Sequence, residues 1–294
     1  MKWEGQRESD NVEDRRDEGG GGGFGIGGGR GLGLGGIVVA LLASWAFGIN
    51  PLTVLGLLHG GGGDAPLQAP APPSRPHARP QDPAARFASV VLADTEDVWG
   101  RYFTQRQQHY EAPTLVLFRG STPTACGQGQ AAMGPFYCPG DRKVYIDLGF
   151  YDVLRERLGA PGDFARAYVL AHEVGHHLQN LLGISARLDR ARGRVSQREY
   201  NALSVRLELQ ADCLAGVWAY HSQQGKGWLE AGDLEEALNA ASRIGDDTLQ
   251  RQAQGTVVPE TFTHGSSAQR VRWFKQGQGS GELASCDTFK AAQL

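Results

Sequence analysis

The chain has 294 residues, of which 40% are hydrophobic and 21% charged, and its formal net charge is −3. This length is enough for one or two domains with a substantial core. The balanced charge and the lack of a recognisable reading motif exclude a typical nucleic-acid-binding protein. Glycine is over-represented, with 42 residues, and much of that excess lies before position 64.

The amino-terminal part predicts a membrane anchor. Residues 1–30 are polar and then glycine-rich, which is typical of a flexible tail. Residues 31–58 contain no charged side chain, and residues 37–47 are strongly apolar. Because about 20 apolar residues cross a bilayer as a helix, residues 31–58 predict a transmembrane helix. A buried core helix and a cleaved signal peptide are the alternatives.

The distribution of basic residues predicts the orientation of this segment. Five basic residues precede it: Lys2, Arg7, Arg15, Arg16 and Arg30. The linker that follows, over residues 59–83, is rich in glycine and proline and has only Arg75 and Arg79. Basic residues favour the cytoplasmic side. We therefore expect a single-pass protein of the bacterial cytoplasmic membrane, with a cytoplasmic amino terminus and residues 84–294 outside.

Residues 84–294 predict one α+β domain that is mostly helical and has a small β-sheet. The periodicity indicates a helix over 84–107, strands over 114–118 and 143–147, and helices over 150–158, 163–182, 197–223, 233–252 and 267–276. Asp163 is the expected N-cap of its helix, and Gly183 is the expected stop.

His172 and His176 are the strongest candidates for a metal site. Their spacing of four places both imidazoles on one face of a helix, where they can reach the same ion. Glu173 is adjacent and can reach a water bound to that ion, as in the H-E-x-x-H arrangement. The alternative is two solvated or core histidines, but unpaired polar groups on a buried helix are costly.

Two acidic residues downstream complete the predicted site. Catalytic zinc usually has three protein ligands, so one more is needed. Glu208 and Asp212 lie four apart within an otherwise apolar helix. We predict that Glu208 is the third ligand of one Zn²⁺ ion and that Asp212 accepts a histidine N–H. Alternatively, both acids face solvent or pair with Arg206 and Arg187.

Four blocks of the sequence resemble a known family. They are residues 1–16, 171–179, 208–213 and 263–270. Together they resemble the neutral zinc metallopeptidase family of bacterial single-span membrane proteins, which is similar to the broader glutamate-ligand zincins. The resemblance covers nearly the whole chain. It implies a zincin-like domain that hydrolyses peptide bonds of proteins or peptides outside the cytoplasmic membrane.

The residue pattern supports the same hypothesis of function. Zinc would activate a water, and Glu173 would serve as general base. The alternative is a non-catalytic, zinc-stabilised membrane scaffold or binding protein, which has no use for Glu173 beside an open position. Another metal-assisted hydrolase is a third possibility. The sequence does not indicate an oligomeric state.

Four further interpretations concern the surroundings of this site. His264 resembles the histidine of the His-Pro segment in Ste24-like proteases, with Gly265 in place of the proline, and we expect it to assist the transition state. Arg270 is expected to pair with a carboxylate near the metal. His177 points about 100° away from its neighbour and is interpreted as structural. The strand at 144–146 is expected to pair with an extended substrate, as an edge strand can.

The cysteines complete the sequence predictions. None forms a C-x-x-C pair, which argues against a cysteine zinc site. Four cysteines allow three connectivities. We predict disulfides between Cys126 and Cys138 and between Cys213 and Cys286, as suits an exported domain.

A run of arginines follows the helix that bears the histidines. Most such runs are solvated surface, and contact with anionic lipid is the alternative. The run comprises Arg187, Arg190, Arg192, Arg194 and Arg198.

Overall fold

The computed structural model describes residues 1–17 and 82–294. The helices are α1 (Pro83–Thr104), α2 (Phe150–Glu156), α3 (Asp163–Leu181), α4 (Ala186–Ala191), α5 (Gln197–Lys226), α6 (Asp233–Arg243), α7 (Asp246–Gln254) and α8 (Ser267–Ser280). The strands are β1 (Val12–Asp14), β2 (Thr114–Phe118), β3 (Ser121–Thr124), β4 (Gly127–Gln130), β5 (Phe136–Cys138) and β6 (Lys143–Asp147). The predicted α+β, mostly helical class is confirmed.

The predicted transmembrane helix over residues 31–58 and most of the linker over 59–83 lie outside the described residues. Within the ranges 1–17 and 82–294, no helix is both long enough and apolar enough to cross a membrane.

The main sheet has the strand order β1-β2-β6-β5. β1 and β6 run parallel to β2, whereas β5 runs antiparallel to β6. Val144 and Tyr145 of β6 therefore have strand partners on both sides. The expectation that residues 144–146 form an edge strand for substrate is wrong, because β5 already occupies that position.

Residues 1–17 belong to the folded domain, whereas the sequence predicted a separate tail over 1–30. Val12 pairs with Leu115, so that β1 covers the edge of β2 that would otherwise lack hydrogen-bond partners. Trp3 packs edge-to-face on Phe87 at 5.3 Å, and its Nε1 donates a 2.9 Å hydrogen bond to Asp163. The sequence did not predict this packing, because a strand of three residues is too short to show a periodic pattern.

Glycines let the central helices approach closely. A Cβ atom at Gly175 on α3 would lie 3.0 Å from the carbonyl oxygen of Ala211 on α5. On the other side of α5, a Cβ atom at Gly277 on α8 would lie 1.9 Å from the carbonyl oxygen of Cys213. Only a hydrogen fits at Gly277, and a Cβ at Gly175 would be a tight contact, so α5 is held closely between α3 and α8.

Several predicted helix ends differ from the observed bounds by a few residues, and two differences at helix starts have a clear physical reason. The predicted helix over 233–252 is broken at Gly245, where a Cβ would lie 2.4 Å from the backbone nitrogen of Ser267. The chain therefore starts a new helix, α7, at Asp246. The N-cap of α3 is Gly162 rather than Asp163, and its φ of 115° suits glycine. Gly183, with a φ of 69°, follows the end of α3 as expected.

The two predicted disulfides are present. Cys126–Cys138 links the β3–β4 hairpin to β5. Cys213–Cys286 fastens α5 to the carboxyl-terminal segment, one residue after Asp212.

Candidate metal centre

Helices α3 and α5 bring three candidate ligands together. The rings of His172 and His176 lie 4.8 Å apart and are nearly perpendicular. Glu208 faces both rings, with one carboxylate oxygen 3.2 Å from Nε2 of His172 and the other 3.5 Å from Nε2 of His176. The three donor atoms lie within 4.8 Å of one another. The predicted third ligand is thus placed beside the histidine pair.

The opposite nitrogen of each imidazole has a hydrogen-bond acceptor. Nδ1 of His172 donates to Asp212 at 2.8 Å, and Nδ1 of His176 donates to Oε1 of Gln179 at 2.9 Å. These bonds leave Nε2 of each ring as the nitrogen that faces Glu208 and is available to a metal ion. Two imidazole nitrogens and one carboxylate form a donor set that suits zinc and leaves a fourth position for water.

Asp212 is the centre of a buried polar network. Its Oδ1 atom also accepts a 2.5 Å hydrogen bond from the hydroxyl of Tyr168 and a 2.9 Å bond from Arg270. The other oxygen, Oδ2, accepts from Nε of Arg270 at 3.0 Å. Burial opposes ionisation of Asp212, but the charges of Arg270 and His172 and the hydrogen bonds from both residues together outweigh burial and lower the pKa of Asp212. The predicted contacts of Asp212 and Arg270 are therefore present.

The ligand pKa values reflect this close packing. Burial alone would lower the pKa of His172, but the charge and hydrogen bond of Asp212 outweigh burial and raise that pKa to about 10. Burial also disfavours the charged form of Glu208, yet the charge of His176 and the hydrogen bond from His172 hold its pKa well below its usual range. A zinc ion bound here would compete with the protons that these interactions favour on the two imidazoles.

Glu173 differs from the ligand side chains in its surroundings. It is buried, with 8% of its surface exposed, and burial raises its pKa. The charges of His176 and His172 partly offset that effect. The side chain therefore lies beside the candidate ligands, and its pKa is set by burial and by the charges of the two histidines, as is typical of a catalytic acid–base group.

His264 lies in the loop before α8, with about half of its side chain exposed. Gly265 turns this loop with a φ of 94°, and a Cβ there would touch Leu209, the neighbour of Glu208 on α5. The charges of His264 and Glu208 interact, since that of His264 lowers the pKa of Glu208 and that of Glu208 raises the pKa of His264. The loop thus brings His264 to the side of the predicted metal site.

His177 has contacts that fit a structural residue. It is fully buried, its Nε2 donates to the carbonyl of Glu111 at 2.7 Å, and Nδ1 lies 3.1 Å from the hydroxyl of Tyr137. Burial lowers its pKa, which favours the neutral ring.

Arg206 and Arg187, the two arginines considered as partners for Glu208 and Asp212, contact other groups. Arg206 donates to the carbonyl of Ala291 at 3.1 Å, and Arg187 lies over the ring of Phe289. The alternative pairing of Glu208 and Asp212 with these two arginines is therefore not observed. All five arginines of the run are exposed: Arg187, Arg190, Arg192, Arg194 and Arg198.

Three residues around the site were not predicted. Tyr168 lies one turn before His172 on α3, a helical spacing that could have indicated the contact with Asp212. Gln179 lies three residues after His176, a helical spacing that could have indicated the contact. Asp246 holds the His264 loop, but no local signal links these two residues, which are 18 positions apart.

Comparison with known proteins agrees with this site. The family described as "Putative neutral zinc metallopeptidase" matches residues 1–289. "Uncharacterized protein YpfJ" of Escherichia coli K12 is 53% identical over 289 residues, which cover 98% of this chain and 99% of that protein. "Uncharacterized protein Rv2575" of Mycobacterium tuberculosis is 46% identical over 197 residues, or 63% of this chain and 65% of that protein. No solved structure matches. The chain therefore belongs to the neutral zinc metallopeptidase family.

Proposed function

We propose that this protein is a zinc-dependent peptidase that hydrolyses proteins or peptides outside the cytoplasmic membrane. The observation that carries the proposal is the convergence of the Nε2 atoms of His172 and His176 on Glu208, with each Nδ1 held by an acceptor. Glu173 beside this set favours catalysis over a scaffold, because a purely structural site has no use for a general base.

Each side chain then has a defined role. His172, His176 and Glu208 would hold one zinc ion, which when bound lowers the pKa of a water and polarises the scissile carbonyl. Glu173 would accept the proton of the attacking water and pass it to the leaving amine. His264 would donate a hydrogen bond to the developing oxyanion, which in enzymes of known mechanism is worth about 2.7–4 kcal/mol per donor.

Strand β5 is the better candidate for substrate pairing. Within the described residues it forms one edge of the main sheet. The hydroxyl of its Tyr137 accepts a 3.0 Å hydrogen bond from Asn180 on α3, so that β5 lies beside the helix that bears His172 and His176. An extended peptide added to the free edge of β5 would run alongside that helix. This arrangement supports an extended stretch of polypeptide as substrate.

The location is proposed from the sequence and the disulfides. Two disulfides support an oxidising compartment outside the bacterial cytoplasm. The charge-free residues 31–58 would attach the chain to the lipid bilayer. The pairing of β1 with β2 supports a location of both flanks of this segment on the same face of the membrane. We therefore replace the expected cytoplasmic amino terminus with one on the side of the domain.

The proposal is tested with the full-length protein in detergent. Peptides released from an unfolded protein substrate are identified by mass spectrometry before chelation, after chelation and after zinc is restored. We expect cleavage to stop on chelation and to return with about one equivalent of zinc. Cleavage that persists in metal-free protein would disprove a zinc peptidase.

A further inference from the structure

Asp246 makes an unusual set of contacts with the loop that bears His264. The carboxylate is buried, with only 2% of the residue exposed. One oxygen, Oδ2, accepts hydrogen bonds from three consecutive backbone N–H groups, those of Thr263 at 2.8 Å, His264 at 2.7 Å and Gly265 at 2.9 Å. The backbone N–H of Asp246 in turn donates to the carbonyl of Gly265 at 2.9 Å.

The second carboxylate oxygen contacts the imidazole itself. Oδ1 of Asp246 lies 3.1 Å from Nδ1 of His264, and the hydroxyl of Thr263 lies 3.0 Å from the same nitrogen. A carboxylate can only accept, so Nδ1 carries the proton in this contact. Nε2 is then the ring nitrogen left for a substrate. The single side chain of Asp246 thus sets both the position of the loop and the state of the ring.

We propose that Asp246 is a positioning residue for the peptidase reaction, which orients His264 so that its Nε2 atom faces the substrate beside the metal. The proposal rests on the proposed function. It assigns to Asp246 the role that a buried carboxylate has in other enzymes, where it fixes the tautomer of a histidine and stabilises its protonated form.

The charges around the ring support this role. Asp246 on α7 and Glu208 on α5 both favour the protonated imidazole, whereas Arg270 on α8 opposes it. Partial burial of the half-exposed ring also opposes the protonated form, but the net result is a raised pKa for His264. The protonated ring keeps Nδ1–H on Asp246 and presents Nε2–H as a donor for the oxyanion.

The break of the helix at Gly245 makes this geometry possible. If the predicted helix had continued through residues 233–252, Asp246 would lie within a regular helix rather than in its first turn. Because α7 begins at Asp246, this residue lies against the 263–265 loop. The next residue, Asp247, accepts hydrogen bonds from the backbone N–H and the hydroxyl of Ser267 at the start of α8.

The substitution Asp246→Asn separates orientation of the ring from attachment of the loop. The amide oxygen of asparagine can still accept the three backbone hydrogen bonds, whereas its NH₂ group cannot accept from Nδ1 of His264. Asp247→Asn is the matched control, because Asp247 lies on the same turn but contacts Ser267 rather than His264. Both variants are compared with the wild type and with His264→Ala.

The first measurement does not depend on activity. Nitrogen-15 NMR of histidine side chains, with the His264 signal assigned from His264→Ala, reports which ring nitrogen carries the proton. We expect a proton on Nδ1 in the wild type and in Asp247→Asn, and its loss from Nδ1 in Asp246→Asn. An unchanged Nδ1 signal in Asp246→Asn would overturn the proposal.

The second measurement is steady-state hydrolysis with zinc content determined in parallel. We expect Asp246→Asn to lower kcat by about tenfold to a hundredfold with little change in KM or zinc content, and Asp247→Asn to stay near wild type. In the His264→Ala background, Asp246→Asn should add little further loss. Fully additive losses would show that Asp246 acts independently of His264 and would overturn the proposal. A wild type that hydrolyses nothing would instead contradict the proposed function, while the NMR result still tests the contact.

Discussion

The hydroxyl of Tyr168 donates a 2.5 Å hydrogen bond to Oδ1 of Asp212, the same oxygen that accepts from Nδ1 of His172. Tyr168 is fully buried, and Arg270 donates to its hydroxyl at 3.3 Å. The tyrosine therefore helps to hold the carboxylate that holds a metal ligand.

We expect Tyr168→Phe to weaken zinc binding by about tenfold, and by at most about a hundredfold, because groups that orient metal ligands contribute in this range. Zinc affinity is measured by competition with a chromophoric chelator. Tyr151→Phe is the control, since the hydroxyl of Tyr151 is buried and has no hydrogen-bond partner within the described residues. Equal affinities for the wild type and both variants would show that Tyr168 only fills space.

Alanine substitutions at Gly277 and Gly279 of α8 are expected to differ strongly in their effect on stability. A Cβ at Gly277 would lie 1.9 Å from the carbonyl oxygen of Cys213, whereas a Cβ at Gly279 on the same helix meets nothing within 4 Å. Gly277→Ala should lower the free energy of unfolding by about 3 kcal/mol or more, because backbone must move. Gly279→Ala should be neutral or stabilising by up to about 1 kcal/mol. Denaturant unfolding that gives similar values for both would contradict the close approach of α8 to α5.

Zinc affinity should depend on pH. The pKa of His172 is raised to about 10 in the metal-free site, and that of His176 is also raised because Glu208 outweighs burial. Zinc must displace these protons, so affinity should rise with pH by about tenfold per unit for each proton displaced. Chelator competition between pH 6 and pH 8 measures this slope. A flat profile would mean that the imidazoles are already neutral or are not ligands.

The packing of residues 1–17 against the domain predicts that the two chain segments on either side of residues 31–58 lie on the same side of the membrane. Glu4 and Lys275 are both exposed, and the four native cysteines are paired in disulfides. Single variants Glu4→Cys and Lys275→Cys should therefore both react with a membrane-impermeant maleimide in cells with a permeabilised outer membrane. Reaction of Lys275→Cys alone, with Glu4→Cys labelled only after lysis, would restore the single-pass topology and contradict the pairing of β1 with β2.

The residues of the metal site could be predicted because their spacing is local. His172, Glu173 and His176 share one helix, and Glu208 and Asp212 share another, so that helical periodicity places each group on one face. The same reasoning missed Asp246, because the helix breaks at Gly245, where the close approach of Ser267, 22 positions later, leaves room only for glycine.

Long-range pairing explains the other differences. The assignment of β6 as an edge strand was wrong because β5, a three-residue strand with no clear signal, pairs with it. The position of β1 depends on the free edge of β2, a partner about 100 residues away in sequence. Such partners depend on tertiary packing rather than on any local pattern.

The substitution Glu173→Gln tests the central claim most directly. It removes the only side chain beside the ligands that is assigned a proton-transfer role, while His172, His176 and Glu208 are left intact. Full-length wild type and variant are compared for zinc content and for peptides released from an unfolded protein substrate. The account predicts about one zinc per chain in both proteins and a loss of hydrolysis by at least about a hundredfold in the variant. Hydrolysis retained by Glu173→Gln, or loss of its zinc, would contradict the account.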